Sequence, residues 1–263
     1  MRNDGVVVIT GASSGIGEQI AREFARRGYR LVLVARRANR LRVLAEEFGG
    51  RAHVIPVDLS NRDERATLPD QVAALGVEAD ILINNAGLGT VGPVADSNPA
   101  AELNLVEVDV ASVVDLCSRF VPGMVKRGRG AVLNVASVGA FGPVPGQASY
   151  GAAKAFVLSY TQAMREELRG TGVTAATLCP GPVYTGFLEA QGISDKESEK
   201  SLPKFLWKNA DDVAKVGVDG LAAGKGVIVP GAPNRIASVV NHLLPRGLLL
   251  PLVARNHPGL KKT

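Results

Sequence analysis

Two cysteines in 263 residues, Cys117 and Cys179, are too few for a disulfide framework, and neither stands among the spaced His or Cys of a metal site, so no metal is expected. Aromatic residues are only 5% of the chain, which leaves no stacking platform for nucleic acid despite a formal charge of +5. No helix-turn-helix or zinc-finger spacing accompanies that charge, so nucleic acid is not an expected partner. Long apolar runs are absent too. None reaches the roughly 18 residues that a membrane-spanning helix requires. The nearest, residues 248–254, is short and interrupted by Pro251. The chain opens Met1-Arg2-Asn3-Asp4 with no apolar segment before its first short strand, so no secretory signal is expected and a cytoplasmic location is the expectation.

What the chain does have is 46% apolar residues against 21% charged, enough to bury a sizeable core, and a length suited to a single domain over residues 1–263. Thirty glycines and fifteen prolines punctuate many short elements. Val6–Ile9, Leu31–Val34, Val54–Val57, Ile81–Ile83, Ala131–Val135, Val173–Leu178 and Val227–Val229 are short apolar runs of the kind buried on both faces of a parallel sheet. Helical patterns lie between them, near residues 15–27, 38–48, 61–75, 100–127, 148–169 and 210–223. Seven strands alternating with helices predict an α/β, Rossmann-type doubly wound parallel sheet in a three-layer αβα sandwich. Ligands of such sheets sit beyond the carboxyl ends of the strands, and the chemically capable residues of this chain fall there.

The first strand runs into Thr10-Gly11-Ala12-Ser13-Ser14-Gly15-Ile16-Gly17, a G-x-x-x-G-x-G turn opening a helix. Glycines permit a tight turn and close approach of a phosphate, and the helix N-terminus attracts the anion. Taken alone the turn is equally compatible with a purely structural strand-to-helix connection. Further along, Asn84-Asn85-Ala86-Gly87 closes the fourth strand and Ser137 closes the fifth. Tyr150 and Lys154 stand four apart on the next helix, and Pro180-Gly181-Pro182-Val183 follows the sixth strand. Together, in this order, these residues resemble the short-chain dehydrogenase/reductase family, the single-domain NAD(P)-dependent branch, across residues 5–230.

Residues four apart on a helix share a face, with Cβ atoms about 5–6 Å apart, so Lys154 can reach toward the Tyr150 phenol. A phenol with an ordinary pKa of about 10 is a poor base at neutral pH, and the Lys154 ammonium and the positive nicotinamide of an oxidised cofactor are both expected to lower it. Tyr150 would then exchange a proton with a carbonyl oxygen, and Ser137 would donate a hydrogen bond to the same oxygen. The resemblance implies that Lys154 also holds the nicotinamide ribose. It further implies that Asn85, Ala86 and Gly87 line the cofactor, that Pro180, Gly181, Val183 and Thr185 hold its carboxamide side, and that Asp58 and Leu59 lie beside the adenine. Gly11, Ser13, Ser14, Gly15, Ile16 and Gly17 form the turn. The family usually has an asparagine in the helix after Asn-Asn-Ala-Gly; Asp109 occupies that place here. A carboxylate buried there is expected to be protonated or paired.

An acid at the end of the second strand would accept from a ribose 2′-hydroxyl and repel a 2′-phosphate. The chain has Ala35-Arg36-Arg37 instead. Arg36, with help from the Ser13 hydroxyl, is therefore expected to fork onto a phosphate and select NADP(H) over NAD(H), while Arg37 is expected to be exposed. Phe141, Val144 and Phe187 suggest an apolar ketone or secondary alcohol as substrate, with Leu188, Phe205 and Trp207 adding to the same cleft and residues 187–208 forming a lid. Residues 231–263 form an apolar extension, expected to pack on the body or on a second subunit of a homodimer or homotetramer. Peripheral membrane contact through residues 235–255 is the alternative. The rival to an enzyme is a non-catalytic NADPH sensor or structural partner.

Overall fold

The computed structural model describes residues 5–187, 203–256 and 258–260. Its centre is a parallel sheet in which Val6–Thr10 (β1), Arg30–Ala35 (β2), Ala52–Pro56 (β3), Ile81–Asn84 (β4), Gly130–Val135 (β5), Val173–Leu178 (β6) and Val227–Ile228 (β9) pair in the order β3-β2-β1-β4-β5-β6-β9. The chain runs outward from β1 to β3 and then returns to the other side of β1, so the order reverses between β1 and β4. A two-stranded parallel sheet, Val183–Tyr184 (β7) with Lys208–Asn209 (β8), was not anticipated; two residues give too short a run to show alternation.

The strands are apolar at consecutive positions because both faces are covered. Val6, Val8, Val32, Val34 and Leu82 face one way, against Arg62–Ala74 (α3), Ser112–Lys126 (α5) and Ala148–Glu167 (α6). Val7, Ile9, Leu31, Leu33 and Ile83 face the other way, against Gly15–Arg26 (α1), Ala38–Glu46 (α2) and Ala210–Ala222 (α7). The inner stripe of α1 is Ile20, Ala21 and Phe24, and truncating a fully buried Phe24 to alanine would cost about 3–5 kcal/mol. Gly28, at φ 90°, ends this helix in the left-handed conformation that glycine tolerates best. Pro56 lies at the end of the edge strand β3, where a missing N–H is harmless. That strand begins two residues before the predicted Val54.

The helix predicted over 100–127 is divided. Pro99–Val106 (α4) passes through a π-helical turn, Glu107–Ala111, into α5. The tail is helical as well, as Ala232–Leu243 (α8) and Arg246–Asn256 (α9). Here the expected packing of an apolar tail on the body is not what α8 shows. It turns Asn234 and Ser238 inward and leaves Ile236, Val239, Val240 and Leu243 exposed.

Candidate active site

The turn after β1 is held by reciprocal contacts with the end of β4. The Thr10 hydroxyl donates to the Ile83 carbonyl at 3.2 Å and accepts from the backbone N–H groups of Asn85 and Ala86 at 3.0 and 3.1 Å. Asn85 Nδ2 donates to the Thr10 carbonyl at 3.0 Å. This packing leaves no room for side chains. A Cβ on Gly11 would lie 2.8 Å from both Ala86 Cα and Asn85 Nδ2, and one on Gly17 would collide with Asn85 Nδ2 and the Gly11 carbonyl. Gly11 and Gly15 also take positive φ, 66° and 60°. At the start of α1, the Ser14 side chain makes no capping hydrogen bond, whereas Asn61 and Asn98 cap α3 and α4. The first N–H groups of α1 thus remain open to an anion, with the helix dipole behind them.

Ser137, Tyr150, Lys154 and Asp109 come from three different elements and meet at the carboxyl edge of the sheet. Lys154 is 5% exposed; its Nζ donates to the Val135 carbonyl at 3.3 Å and lies 2.9 Å from Asp109 Oδ2. It stands 5.5 Å from the centre of the Tyr150 ring. Asp109, 1% exposed, is aimed inward by the π turn, and its Oδ1 accepts the Leu88 N–H at 2.7 Å. A π turn shifts the helical register locally, which a 3.6-residue sequence pattern cannot reveal. The Tyr150 hydroxyl hydrogen-bonds to Ser137, whose oxygen also accepts the Gly139 N–H at 3.1 Å. Gly87 closes the group from above: a Cβ there would lie 3.1 Å from Lys154 Nζ and 3.2 Å from Asp109 Oδ2.

The Lys154 ammonium pulls the Tyr150 pKa down, as expected, but in the absence of a cofactor charge burial acts more strongly. The Tyr150 phenol lies above its ordinary pKa, because burial outweighs the downward pull of the Lys154 ammonium and Ser137, and the Asp109 carboxylate pushes the same way as burial. Burial likewise raises the Asp109 carboxyl, against the pull of Lys154 and Leu88. Burial disfavours the Lys154 ammonium, but Asp109 and Tyr150 outweigh that and raise its pKa. Without a cofactor charge nearby, the resting tyrosine is therefore a proton donor.

The family model described as short chain dehydrogenase matches residues 5–195. The chain belongs to the short-chain dehydrogenase family. Sulfoacetaldehyde reductase 2 of Chromohalobacter salexigens is 35% identical over 216 residues, covering 80% of this chain and 86% of that protein. A short-chain dehydrogenase from Sphingobium yanoikuyae, solved in complex with NADPH, is similar with a TM-score of 0.81 and 30% identity over 95% of each chain. One from Burkholderia phymatum, solved in complex with NAD, is similar with a TM-score of 0.82 and 25% identity over 100% of this chain and 99% of that one. The protein is accordingly an oxidoreductase that acts on hydroxyl or carbonyl substrates with a nicotinamide cofactor.

Around this dehydrogenase centre the remaining predicted residues take up distinct positions. Thr185 reaches the glycine turn, since a Cβ on Gly15 would lie 3.2 Å from its Cγ2. The Pro180 carbonyl accepts the Val138 N–H at 2.9 Å, joining the segments after β5 and β6. Gly181 abuts the buried Asn234 of α8, and Val183 is buried in β7. The Phe187 ring is 5.9 Å from the Tyr150 ring. Val144 packs between Gly139 and Gly151, while Phe141 is half-buried in the short turn after Ser137. Trp207 is buried and stacks on Tyr184 at 4.8 Å, so it serves the packing of the small sheet rather than an open cleft, and Phe205 is exposed. Leu188 and most of the expected lid lie outside the described residues.

After β2, Arg36 and Arg37 are both exposed, as expected for Arg37, and the Arg37 guanidinium lies against the glycine turn. Arg37 Nη2 donates to the hydroxyls of Ser13 at 2.9 Å and Ser14 at 2.7 Å, and its Nε lies 3.2 Å from Ser13 Oγ. The Arg36 side chain has no hydrogen bond or ion pair among the described residues, and its backbone carbonyl accepts the Ala38 N–H at 3.1 Å. Burial and the neighbouring Arg40 and Arg36 charges lower the Arg37 pKa against the smaller opposing pull of Glu18. Asp58 is engaged locally, accepting from the Ser60 N–H and hydroxyl, and Leu59 is buried with its carbonyl on Arg65.

Sequence reasoning missed Thr10 and the buried chain Asn84–Asn134–Thr161. Asn84 Nδ2 donates to Asn134 Oδ1 at 2.8 Å, and Asn134 Nδ2 donates to Thr161 Oγ1 at 2.9 Å. These bonds tie β4 and β5 to α6 beneath Tyr150 and Lys154. Their signal in the sequence was a polar residue at a strand position otherwise reserved for apolar ones.

Proposed function

We propose that the protein is an NADPH-dependent reductase of apolar ketones, running in reverse as a secondary-alcohol dehydrogenase. The observation that carries this reading is the half-buried Tyr150, its phenol hydrogen-bonded to Ser137 and its pKa raised so that it holds its proton, with the buried Lys154 ammonium 5.5 Å from its ring. The residues present fit a dinucleotide: an uncapped helix N-terminus, glycines that exclude side chains, and an arginine laid over two serine hydroxyls. When bound, the nicotinamide supplies or takes up the hydride. Ser137 positions the substrate oxygen, and Tyr150 gives it a proton as negative charge develops there. Lys154 stabilises the phenolate left behind, and Asp109 keeps Lys154 charged and fixed. In the oxidative direction the same groups work in reverse, with the phenolate as base. Arg37, Ser13 and Ser14 would receive a 2′-phosphate, which supports NADPH as the preferred form. Phe187 and Phe141 favour an apolar substituent on the carbonyl.

The test is consumption of NADPH and NADH in the presence of a panel of ketones. NADPH is expected to be the better cofactor, and Tyr150→Phe is expected to lower turnover by about 10²–10⁴-fold while leaving NADPH binding intact. NADPH binding without turnover of any ketone would instead support the sensor.

A further inference from the structure

We propose that the C-terminal helices form a docking face for an anionic lipid surface. Residues 220–263 contain six lysines and arginines, Lys225, Arg235, Arg246, Arg255, Lys261 and Lys262, and no aspartate or glutamate. That segment carries +6, and the other 219 residues together carry −1. The basic character of the whole chain is thus a property of its tail. Among the described residues, Arg235, Arg246 and Arg255 take part in no ion pair, and the segment from residue 220 onward holds no acidic residue that could match them.

Helix α8 is inverted relative to a helix that covers a core. Its polar residues are the buried ones: Asn234 Nδ2 donates to the Leu206 and Pro230 carbonyls at 2.9 and 3.2 Å, and Ser238 Oγ donates to the Asn234 carbonyl at 2.8 Å. Its large apolar residues form one outward row, with Ile236 65%, Val239 53%, Val240 46% and Leu243 73% exposed. Spacings of three and four place them on a single face. Arg235 adjoins that row and is also exposed.

An exposed apolar row flanked by cations has the chemistry of a helix lying in a membrane interface, its apolar side among acyl chains and its cations at phosphates. Charge complementarity decides between occupants. Two copies meeting through this face would bring together two segments of the same sign, whereas an anionic bilayer satisfies both the charge and the apolar row. No helix among the described residues is long and apolar enough to cross a membrane, so the contact is peripheral. The face is continuous with the substrate side of the protein. A Cβ on Gly142 would lie 2.7 Å from Arg246 Nη1, and Arg246 borders a cavity of about 430 Å³ lined by Pro143, Val144 and Ala152.

The test is flotation of the full-length protein with vesicles of phosphatidylglycerol and phosphatidylcholine mixed, compared with phosphatidylcholine alone. Binding to the anionic vesicles is expected, weakened by salt. Each of Arg235→Gln and Arg255→Gln is expected to reduce it about fivefold, and Ile236→Ser with Leu243→Ser by at least about tenfold. Because these side chains are exposed, ketone reduction in solution should be unchanged in every variant, which separates this proposal from the catalytic one. Absence of wild-type binding to anionic vesicles, or equal binding by all variants, would overturn it. So would light scattering that shows an oligomer in the wild type and a smaller species in the Leu243→Ser variant, which would assign the face to a second copy.

Discussion

At the scale of single residues, Asp109 carries the sharpest consequence. Its carboxylate raises the Tyr150 pKa, acting with burial and against Lys154. Tyr150 supplies a proton below its pKa, so reduction persists through neutral pH and falls as pH rises through that value, while oxidation gains over the same interval. Asp109→Asn removes the negative charge but retains an oxygen that can accept the Leu88 N–H. The variant is expected to stay folded and active, with the alkaline fall in reduction and the rise in oxidation both moved to lower pH. Rate profiles in the two directions measure this; an unmoved profile would mean that the carboxylate does not reach the phenol electrostatically. Asp109 was legible from its place after Asn-Asn-Ala-Gly, but its partner was not, because nothing in a linear pattern joins residues 109 and 154. The arginine pair shows the same limit. Absence of an acid after β2 drew attention to Arg36 and Arg37, but the contact of Arg37 with the Ser13 and Ser14 hydroxyls depends on where the chain turns into α2. Arg37→Ala is therefore expected to reduce the NADPH-over-NADH preference at least about tenfold, and Arg36→Ala to change it little; kcat/KM for each cofactor decides.

At the scale of elements, the apolar runs that became β1, β2, β4, β5 and β6 were readable because a strand buried on both faces needs apolar residues at successive positions. The connections between their ends were not readable, since hydroxyl and amide groups at strand termini have many alternative uses. Thr10 illustrates the point. One hydroxyl serves the Ile83 carbonyl and the N–H groups of Asn85 and Ala86, locking β1 to β4 where the strand order reverses. Thr10→Val preserves shape and leaves these backbone groups unmatched in a largely closed site, at a cost of about 2–4 kcal/mol. Urea unfolding should show that loss, and NADPH affinity should fall with it because the glycine turn is no longer pinned. Unchanged stability would show that water replaces the hydroxyl at little cost. The π turn belongs to this scale too: it interrupts a helix that composition predicts as continuous, and by doing so turns Asp109 toward Lys154.

At the scale of the molecule, the tail and the site are one structure. Helix α8 packs its polar side on the segments that follow β6 and precede β8, with Asn234 against Gly181 and hydrogen-bonded to the carbonyls of Leu206 and Pro230. The apolar character of residues 231–263 was plain from composition. Its direction was not, because periodicity identifies an amphipathic helix without saying which face meets the body, and here backbone carbonyls on the body select the polar one. Asn234→Ala removes the donor from two carbonyls in a buried place, which costs about 1–3 kcal/mol. For a domain of this size that corresponds to a fall in melting temperature of about 2–4 °C per kcal/mol. The change should also weaken NADPH binding, since Gly181 loses the side chain it rests on. Ile236→Ser, two residues along on the outward face, should leave both melting temperature and affinity nearly unchanged. If the two substitutions were equally disruptive, the inward polar face would not be what couples the tail to the cleft.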